Sequence, residues 1–350
     1  MGAAYILNNC EAFTPIGAAS RRVATIGFFD GVHTGHRYLL SQVERLAREN
    51  SMAGMAVTFE RHPRQVLQTD YCPVLLNTPE EKYRHLAESG IDACVMLDFT
   101  LQMAQLSARD FMRLFLRERY GVEKLVMGYD HRFGHERHLS LADYQAIGRE
   151  VGIEVVQAEA FQTADLTVSS SAIRRLLQGG DVDRANRCLG YAYELAGTVV
   201  DGHHVGRDLG YPTANLRPEN VLKLVPGRGV YAVEAVYDGK TYPAMLNIGF
   251  RPTLDNGAES TIEAHLFGFS GNLYGETLTL RFLHRVRDEQ RFPSLDALKR
   301  QLAEDAARVC RMLGRGGDSE LTNFVGARDW GEKQRNIIMA SDGVTTNYTN

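Results

Sequence analysis

Short apolar runs near 23–28, 54–59, 91–97, 124–129 and 153–158 alternate with stretches near 36–49, 78–89, 107–119 and 140–151 whose apolar residues recur at helical spacing. Strands that alternate with helices predict a parallel α/β sheet, with ligands bound beyond the carboxyl ends of its strands. After about residue 187 the rhythm changes. GTVVD, GVYAVEAVY, TYPAMLNI, TIEAHLF and ETLTLRFL follow one another closely, separated by turns rich in Gly, Asp and Asn, and predict a small β barrel. Within it, Val230–Tyr237 and Thr241–Asn247 flank Asp238-Gly239, a two-residue hairpin signal. A last amphipathic stretch from about Ser294 to Leu313 carries Leu295, Leu298, Leu302 and Ala306 along one side and predicts a helix packed on the barrel. The division expected is a first domain over 1–187, a second over 188–313, and a tail over 314–350, poorly ordered or a docking segment, which holds the sole tryptophan, Trp330.

Composition narrows the class. A chain of 350 residues suits two domains, each with its own core, and 44% hydrophobic residues with a net charge of −4 describe an ordinary globular protein. The absence of a long basic run argues against a nucleic-acid partner. Neither a basic-then-apolar leader nor an apolar run near the ~20 residues needed to span a bilayer is present, so membrane and export are not expected. Cysteines 10, 72, 94, 188 and 310 form no CxxC pair and are odd in number, which fits a reducing cytoplasm. A monomer or weak homo-oligomer that meets only small molecules is the expectation.

The densest chemistry lies in VATIGFFDGVHTGH, residues 23–36. A buried strand runs into a turn eased by Gly27 and Gly31, and a helix follows, so His33 and His36 sit near a helix N-terminus. Unpaired N–H groups and the helix dipole favour an anion there, and imidazole N–H donors add to that field. The alternatives are a zinc half-site, which needs further ligands at suitable spacing, and two ordinary capping and packing histidines. Farther on, SSSAIRRLLQGGDV marks a helix with serines at its start and Gly179-Gly180 at its stop. Its serines serve as caps or as phosphate donors, and Arg174 is either solvated or a phosphate ligand.

GFFDGVHTGH resembles the HxGH signature of the nucleotidyltransferase superfamily in the form used by bacterial FAD synthetases. TFERHP (58–63), GYDHRFGHER (128–137) and VSSSAIR (168–174) follow in that family's order. The resemblance implies that His33, His36 and Arg174 act in catalysis. It also implies that Gly27, Phe28, Asp30, Gly31, Ser170 and Ser171 bind ATP and its phosphates, and that His62, Asp130, Arg132 and Phe133 contact flavin. The histidines at 131, 135 and 138 would align as zinc ligands on a helix, but Gly134 favours a loop.

The second half carries GHHVGRDLGYPTANL, residues 202–216, which resembles riboflavin kinase. In an extended segment Thr213 and Asn215 point the same way, and a hydroxyl with an amide oxygen suits a hydrated magnesium ion bridging phosphates. By the resemblance Gly206, Arg207, Gly210, Thr213 and Asn215 hold ATP and Mg2+, and Glu263 in TIEAHLF is the general base. LNIGFRPT (246–253) and RDEQRF (287–292) are also in family order, with Arg285 and Arg287 as flavin or phosphate contacts. The implied function is ATP-dependent phosphorylation of riboflavin to FMN in the second domain and adenylylation of FMN to FAD in the first. Alternatives are a chain with one working half, most readily the kinase, a non-catalytic flavin-binding regulator, and a relative of class I aminoacyl-tRNA synthetases. The last lacks a KMSKS-like loop here. Three departures from the family pattern, Arg61, His138-Leu139 and Gly268, touch no assigned catalytic group.

Overall fold

The five apolar runs of the first half emerge as parallel neighbours in the computed structural model, which describes residues 4–6, 14–15, 21–67, 74–128, 133–136, 138–163, 165–201, 210–252 and 258–314. Asp130, Arg132, His131, Gly206, Arg207 and the stretch 315–350 therefore lie outside the described residues. The strands are β1 (Ala4–Ile6), β2 (Thr14–Pro15), β3 (Arg22–Ile26), β4 (Ala53–Phe59), β5 (Ala93–Leu97), β6 (Val122–Met127) and β7 (Glu154–Gln157). Their order is β2-β1-β5-β4-β3-β6-β7, with β5-β4-β3-β6-β7 parallel and the first two strands antiparallel at one edge. The parallel core is the α/β sheet that the alternation predicts. The two edge strands are not foreseen, because three residues and two residues are too short to show a period.

Period-two alternation puts both faces of the sheet under cover. Ala24, Met55, Val57, Val95 and Leu125 enter one core, while Val23, Ala56, Cys94 and Val126 enter the other. The second core is closed by Leu40, Val43 and Ala47 of α1 (Thr34–Glu49). A short α2 (Pro63–Leu67) follows β4, and α3 (Pro79–Ala87) adds Leu86 to that same core. On the opposite face α4 (Leu101–Ala104) and α5 (Ala108–Asp110) lead into a π-helical stretch, Phe111–Arg119, and α6 (Leu141–Val151) completes the layer. The helix expected over 107–119 is thus one α turn widened into π geometry. Last come α7 (Ser170–Gln178) and α8 (Val182–Leu189).

The rest of the described chain is a closed barrel of β8 (Tyr193–Val200), β9 (Ala214–Pro218), β10 (Gly229–Tyr237), β11 (Lys240–Pro252), β12 (Ala258–Leu266) and β13 (Thr277–Arg287). It closes in the order β10-β11-β12-β9-β8-β13, every pair antiparallel, leaving no edge. Tyr237 pairs with Lys240 across Asp238 (φ +48°) and Gly239 (φ +69°), the mirror-image turn that the Asp-Gly pair favours. The five expected strands are present, and β9 is a sixth. α9 (Leu295–Met312) is capped by Ser294, whose hydroxyl accepts from Ala297 N–H at 3.2 Å. Its packed face is Leu302, Ala306, Val309 and Cys310. Leu295, expected on that face, is 58% exposed and so is corrected: it stands on the first turn, before the helix reaches the barrel.

Two units result. One is Met1–Gln178 with Arg184–Tyr191 and Asn220–Val225; the other is Gly179–Asp183 with Ala192–Glu219 and Pro226–Asn350. The short Asn220–Val225 return is stapled within the first unit by Lys223 Nζ, which donates to Leu76 O and to the Glu81 carboxylate.

Candidate active site

The turn between β3 and α1 holds three residues at positive φ: Phe29 at +51°, Gly31 at +84° and Val32 at +33°. Such a backbone is costly for a phenylalanine and worse for a β-branched valine, so the surroundings must fix it. Both side chains are buried in the core against α1, which offsets the strain. The carbonyls of the turn are then bonded one by one by side chains from distant segments. Phe28 O accepts from Thr58 Oγ1 at 3.0 Å and Lys82 Nζ at 3.2 Å, Asp30 O from Ser170 Oγ at 2.9 Å, and Gly31 O from the Tyr191 hydroxyl at 2.7 Å. Gly31, at φ +84°, suits the turn, and a Cβ there would lie 2.8 Å from Leu76 Cδ1, which would have to shift.

His33 is the N-cap of α1, and its Nδ1 accepts from His36 N–H at 3.2 Å. A neutral ring that accepts at Nδ1 carries its proton on Nε2, so His33 is left with an Nε2–H donor. The His33 and His36 rings stack with centroids 3.6 Å apart. Burial lowers the His33 pKa to about 4. Burial, then the charges of His33 and Lys82, push that of His36 well below its ordinary value. Both rings are neutral at pH 7. His36 Nδ1 is buried without a hydrogen-bond partner, which leaves the pair polar capacity to spend on a ligand.

Asp30, 3% exposed, accepts from Leu76 N–H at 3.0 Å and Asn77 N–H at 3.2 Å, and pairs with Arg174 Nη2. Arg174 Nε also donates to Val74 O at 2.6 Å. The carboxylate thus aims the guanidinium. Ser169 caps α7, accepting from Ala172 N–H at 3.2 Å, which leaves Ser170 to bond the turn and Ser171 exposed on the first helical turn. His62 sits edge-on to Phe28 with centroids 4.6 Å apart, and its pKa is lowered first by burial. Gly27, Phe28, Asp30, Gly31, His33, His36, Ser170 and Arg174 are therefore brought together by β3, α1 and α7, with His62 beside them.

Phe133 is drawn elsewhere. Its ring packs 4.7 Å from Tyr144 and 5.6 Å from Phe111, and its backbone N–H and C=O both bond the Tyr144 hydroxyl. Gly134 has φ +84°, and described residues 133–136 form no helix, so His135 and His138 are not aligned as a zinc face. No group of three or more His, Cys, Asp or Glu able to hold a metal exists among the described residues.

Lys82 escapes the sequence reading altogether. It is 2% exposed on α3, and its Nζ donates to Phe59 O at 2.9 Å as well as to Phe28 O. Spacing holds the only clue, since Lys82 shares the inner face of α3 with His85 and Leu86.

In the barrel, Glu263 on β12 pairs with Asn215 on β9 and with Asn247 on β11. Residues paired directly across strands project to the same side, so the three side chains form one row. Asn247 is a further candidate, detectable in LNIGFRPT but not singled out by the sequence. Ile262 and Ala264 are buried on the opposite side, as the period of two along a strand requires. His265 shares the Glu263 face yet is buried, with Nδ1 2.9 Å from Pro212 O, so this face of β12 is not simply a solvent face. Thr213 lies two residues before Asn215, and Gly210, at φ +83°, precedes them. Arg285 and Arg287 face protein groups: Arg287 grips Asp305 at 2.7 to 3.0 Å, and Arg285 binds Gly179 O, Arg228 O and Asp288. The register brings Glu263 and Asn215 together, while the two arginines are committed to holding the end of β13.

Comparisons with known proteins find a match for each half of the chain. Residues 16–172 match the family model described as FAD synthetase, and residues 189–313 match that of riboflavin kinase. The chain is 37% identical over 293 residues to the bifunctional riboflavin kinase/FMN adenylyltransferase of Escherichia coli K12, covering 83% of this chain and 93% of that protein. It is 37% identical over 285 residues to the protein of the same name from Pseudomonas fluorescens, covering 81% and 91%. A crystal structure from Streptococcus pneumoniae, described as a macrolide-efflux protein, is similar with a TM-score of 0.76 and 32% identity, covering 83% of this chain and 94% of that one. The efflux description stands apart from the two family models and the curated relatives, which agree with one another.

Proposed function

The chain belongs to the family of bifunctional riboflavin kinases/FMN adenylyltransferases, and from that membership we propose that its two units carry the two successive reactions. Riboflavin and ATP give FMN and ADP at the barrel, and FMN with a second ATP gives FAD and pyrophosphate at the β3–α1 turn. A working division places the first reaction in 188–313 and the second in 1–187.

The observation that carries the assignment is the neutral histidine pair at the N-terminus of α1 beside the pinned Arg174. In adenylyl transfer an FMN phosphate oxygen bonds the α-phosphorus of ATP and the bond to pyrophosphate breaks. The nucleophile is already an anion, so a base contributes little. The demand is for donors aimed at charge moving onto the α-phosphate and pyrophosphate. Neutral imidazoles donate without the reorganisation that a charged, solvated group would require. His33, His36, Arg174, Ser170 and Ser171 take this role, with Asp30 aiming Arg174 and the turn of Gly27, Phe28 and Gly31 approaching the phosphates. His62, Asp130, Arg132 and Phe133 are assigned to the flavin side, with Phe133 supporting from its packed position.

In the kinase reaction Glu263 accepts the proton of the ribityl 5′-hydroxyl as that oxygen bonds the γ-phosphorus and ADP leaves. A rigid strand holding the carboxylate beside Asn215 supports this role. Thr213 and Asn215 offer two neutral oxygens, a set that fits magnesium, which takes few protein ligands and keeps water. When bound, the ion supplies charge neutralisation on the ATP phosphates. Gly206, Arg207 and Gly210 are assigned to the ATP phosphates, and Arg285 and Arg287 to the flavin side. The partners proposed are ATP, riboflavin and FMN, with a cytoplasmic location and a monomer or weak homo-oligomer.

Chromatography of products from riboflavin, ATP and magnesium, beside a reaction started from FMN, tests the reading. FAD from both is expected. FMN alone from riboflavin, with no FAD from FMN, would remove the first assignment.

A further inference from the structure

One buried cation beside the histidine pair has no part in the two reactions as assigned. From α3, Lys82 reaches the ends of two neighbouring parallel strands, donating to Phe59 O at the end of β4 and to Phe28 O just beyond the end of β3. Its Nζ also lies 4.0 Å from the centre of the Phe28 ring, whose edge contact is His62. Phe28 leads directly into the left-handed Phe29, so the peptide that Lys82 holds is the one from which the strained turn departs. Thr58 supports the same carbonyl but brings no charge.

We infer that Lys82 is a positioning residue for adenylyl transfer: it fixes the Phe28 carbonyl so that the turn presents His33 and His36 to the phosphates, and it puts a positive charge behind them. The inference rests on the adenylyltransferase reading of the first unit. An apolar side chain of the same length would fill the space at lower cost, because a buried ammonium loses its hydration. Lys82 bonds neutral carbonyls, and the nearby carboxylate of Asp30 is engaged by Arg174. Its charge therefore acts on the pocket. The groups that face it are Asp30 in the turn, Glu60 after β4, Cys94 on β5, His36 on α1 and His62 before α2. Burial lowers the Lys82 pKa to about 8, against the raising effect of Asp30, Cys94 and Glu60.

The test compares the two reactions in each sample of full-length protein. Lys82→Met is expected to lower kcat for FAD formation from FMN about a hundredfold, the loss of two charge-assisted bonds. KM for FMN and ATP should move much less, and riboflavin phosphorylation should remain. Lys82→Gln, which keeps an amide donor, should recover about a tenth of the wild-type rate. In the wild type, kcat/KM for FAD formation should fall as pH rises from 7 to 9, and the Met variant should lack that fall. If Lys82→Met loses both reactions, the Gln variant and the wild-type profile decide. Variants within threefold of wild type, or a wild-type kcat/KM that stays level over that range, overturn the role. A wild type that makes no FAD from FMN overturns the adenylyltransferase reading instead.

Discussion

The turn at the end of β3 and the strand that carries Glu263 both aim polar groups at phosphate, yet they are built in opposite ways. Glu263 is placed by an unbroken antiparallel ladder, with its neighbours set by register. The histidine turn is strained at Phe29 and Val32 and held by Thr58, Lys82, Ser170 and Tyr191. Regular backbone distributes its cost over many identical bonds, whereas a strained turn depends on each of a few side chains. The first site should thus be sensitive to substitutions far from the phosphates, and the second mainly to its own row.

The largest expected effect breaks the comparison at the ladder. Glu263→Gln should cut riboflavin phosphorylation by about a hundred- to ten-thousandfold, the usual contribution of a general base, with FAD formation from FMN unchanged. Steady-state rates of both reactions check it. Next, His36→Ala should slow FAD formation about a hundred- to a thousandfold, corresponding to roughly 2.7 to 4 kcal/mol of transition-state stabilisation, with riboflavin phosphorylation intact. Normal adenylylation by this variant would sink the role of the pair.

Acid should separate the two regions as well. His33 titrates near 4 when folded and near 6.5 when unfolded, so between these values the unfolded chain binds more protons. Its contribution is complete above 6.5 and is lost as pH falls through that window toward 4, amounting to about 3 kcal/mol. Buried His36 acts in the same direction. Calorimetry from pH 7 to 4 should show the transition of the first unit falling faster than that of the barrel; equal shifts would contradict the neutral, buried state of the pair. The smallest effect sharpens the idea of remote support. Tyr191→Phe removes the bond to Gly31 O, worth roughly 0.5 to 1.5 kcal/mol, together with the contact of the hydroxyl with the Asn77 side chain, and should lower FAD formation about two- to tenfold with no change in riboflavin phosphorylation.

The same contrast explains what could be read in advance. Alternating apolar runs foretell β3 to β7, and the closely spaced runs with their Asp-Gly hairpin foretell the barrel, because both rest on local periodicity. The Glu263 face follows from period two, and Asn215 and Thr213 from their spacing. The supports of the turn leave no such trace. Ser170 and Tyr191 lie 140 and 160 residues from the carbonyls they bond, and a side chain bonding a distant carbonyl imposes no pattern on its neighbours. The motif marks Asp30 as a phosphate contact, and its bonds to Leu76, Asn77 and Arg174 add what its charge does within the protein. Arg285 and Arg287 teach the same lesson at the end of β13.

The claim of two independent sites is tested most directly by crossing two variants with two starting substrates and separating the flavins by chromatography. Glu263→Gln should give FAD from FMN but leave riboflavin untouched, and His36→Ala should convert riboflavin to FMN and stop there. Loss of both reactions in either folded variant, or FAD from riboflavin at the wild-type rate in either, would contradict it.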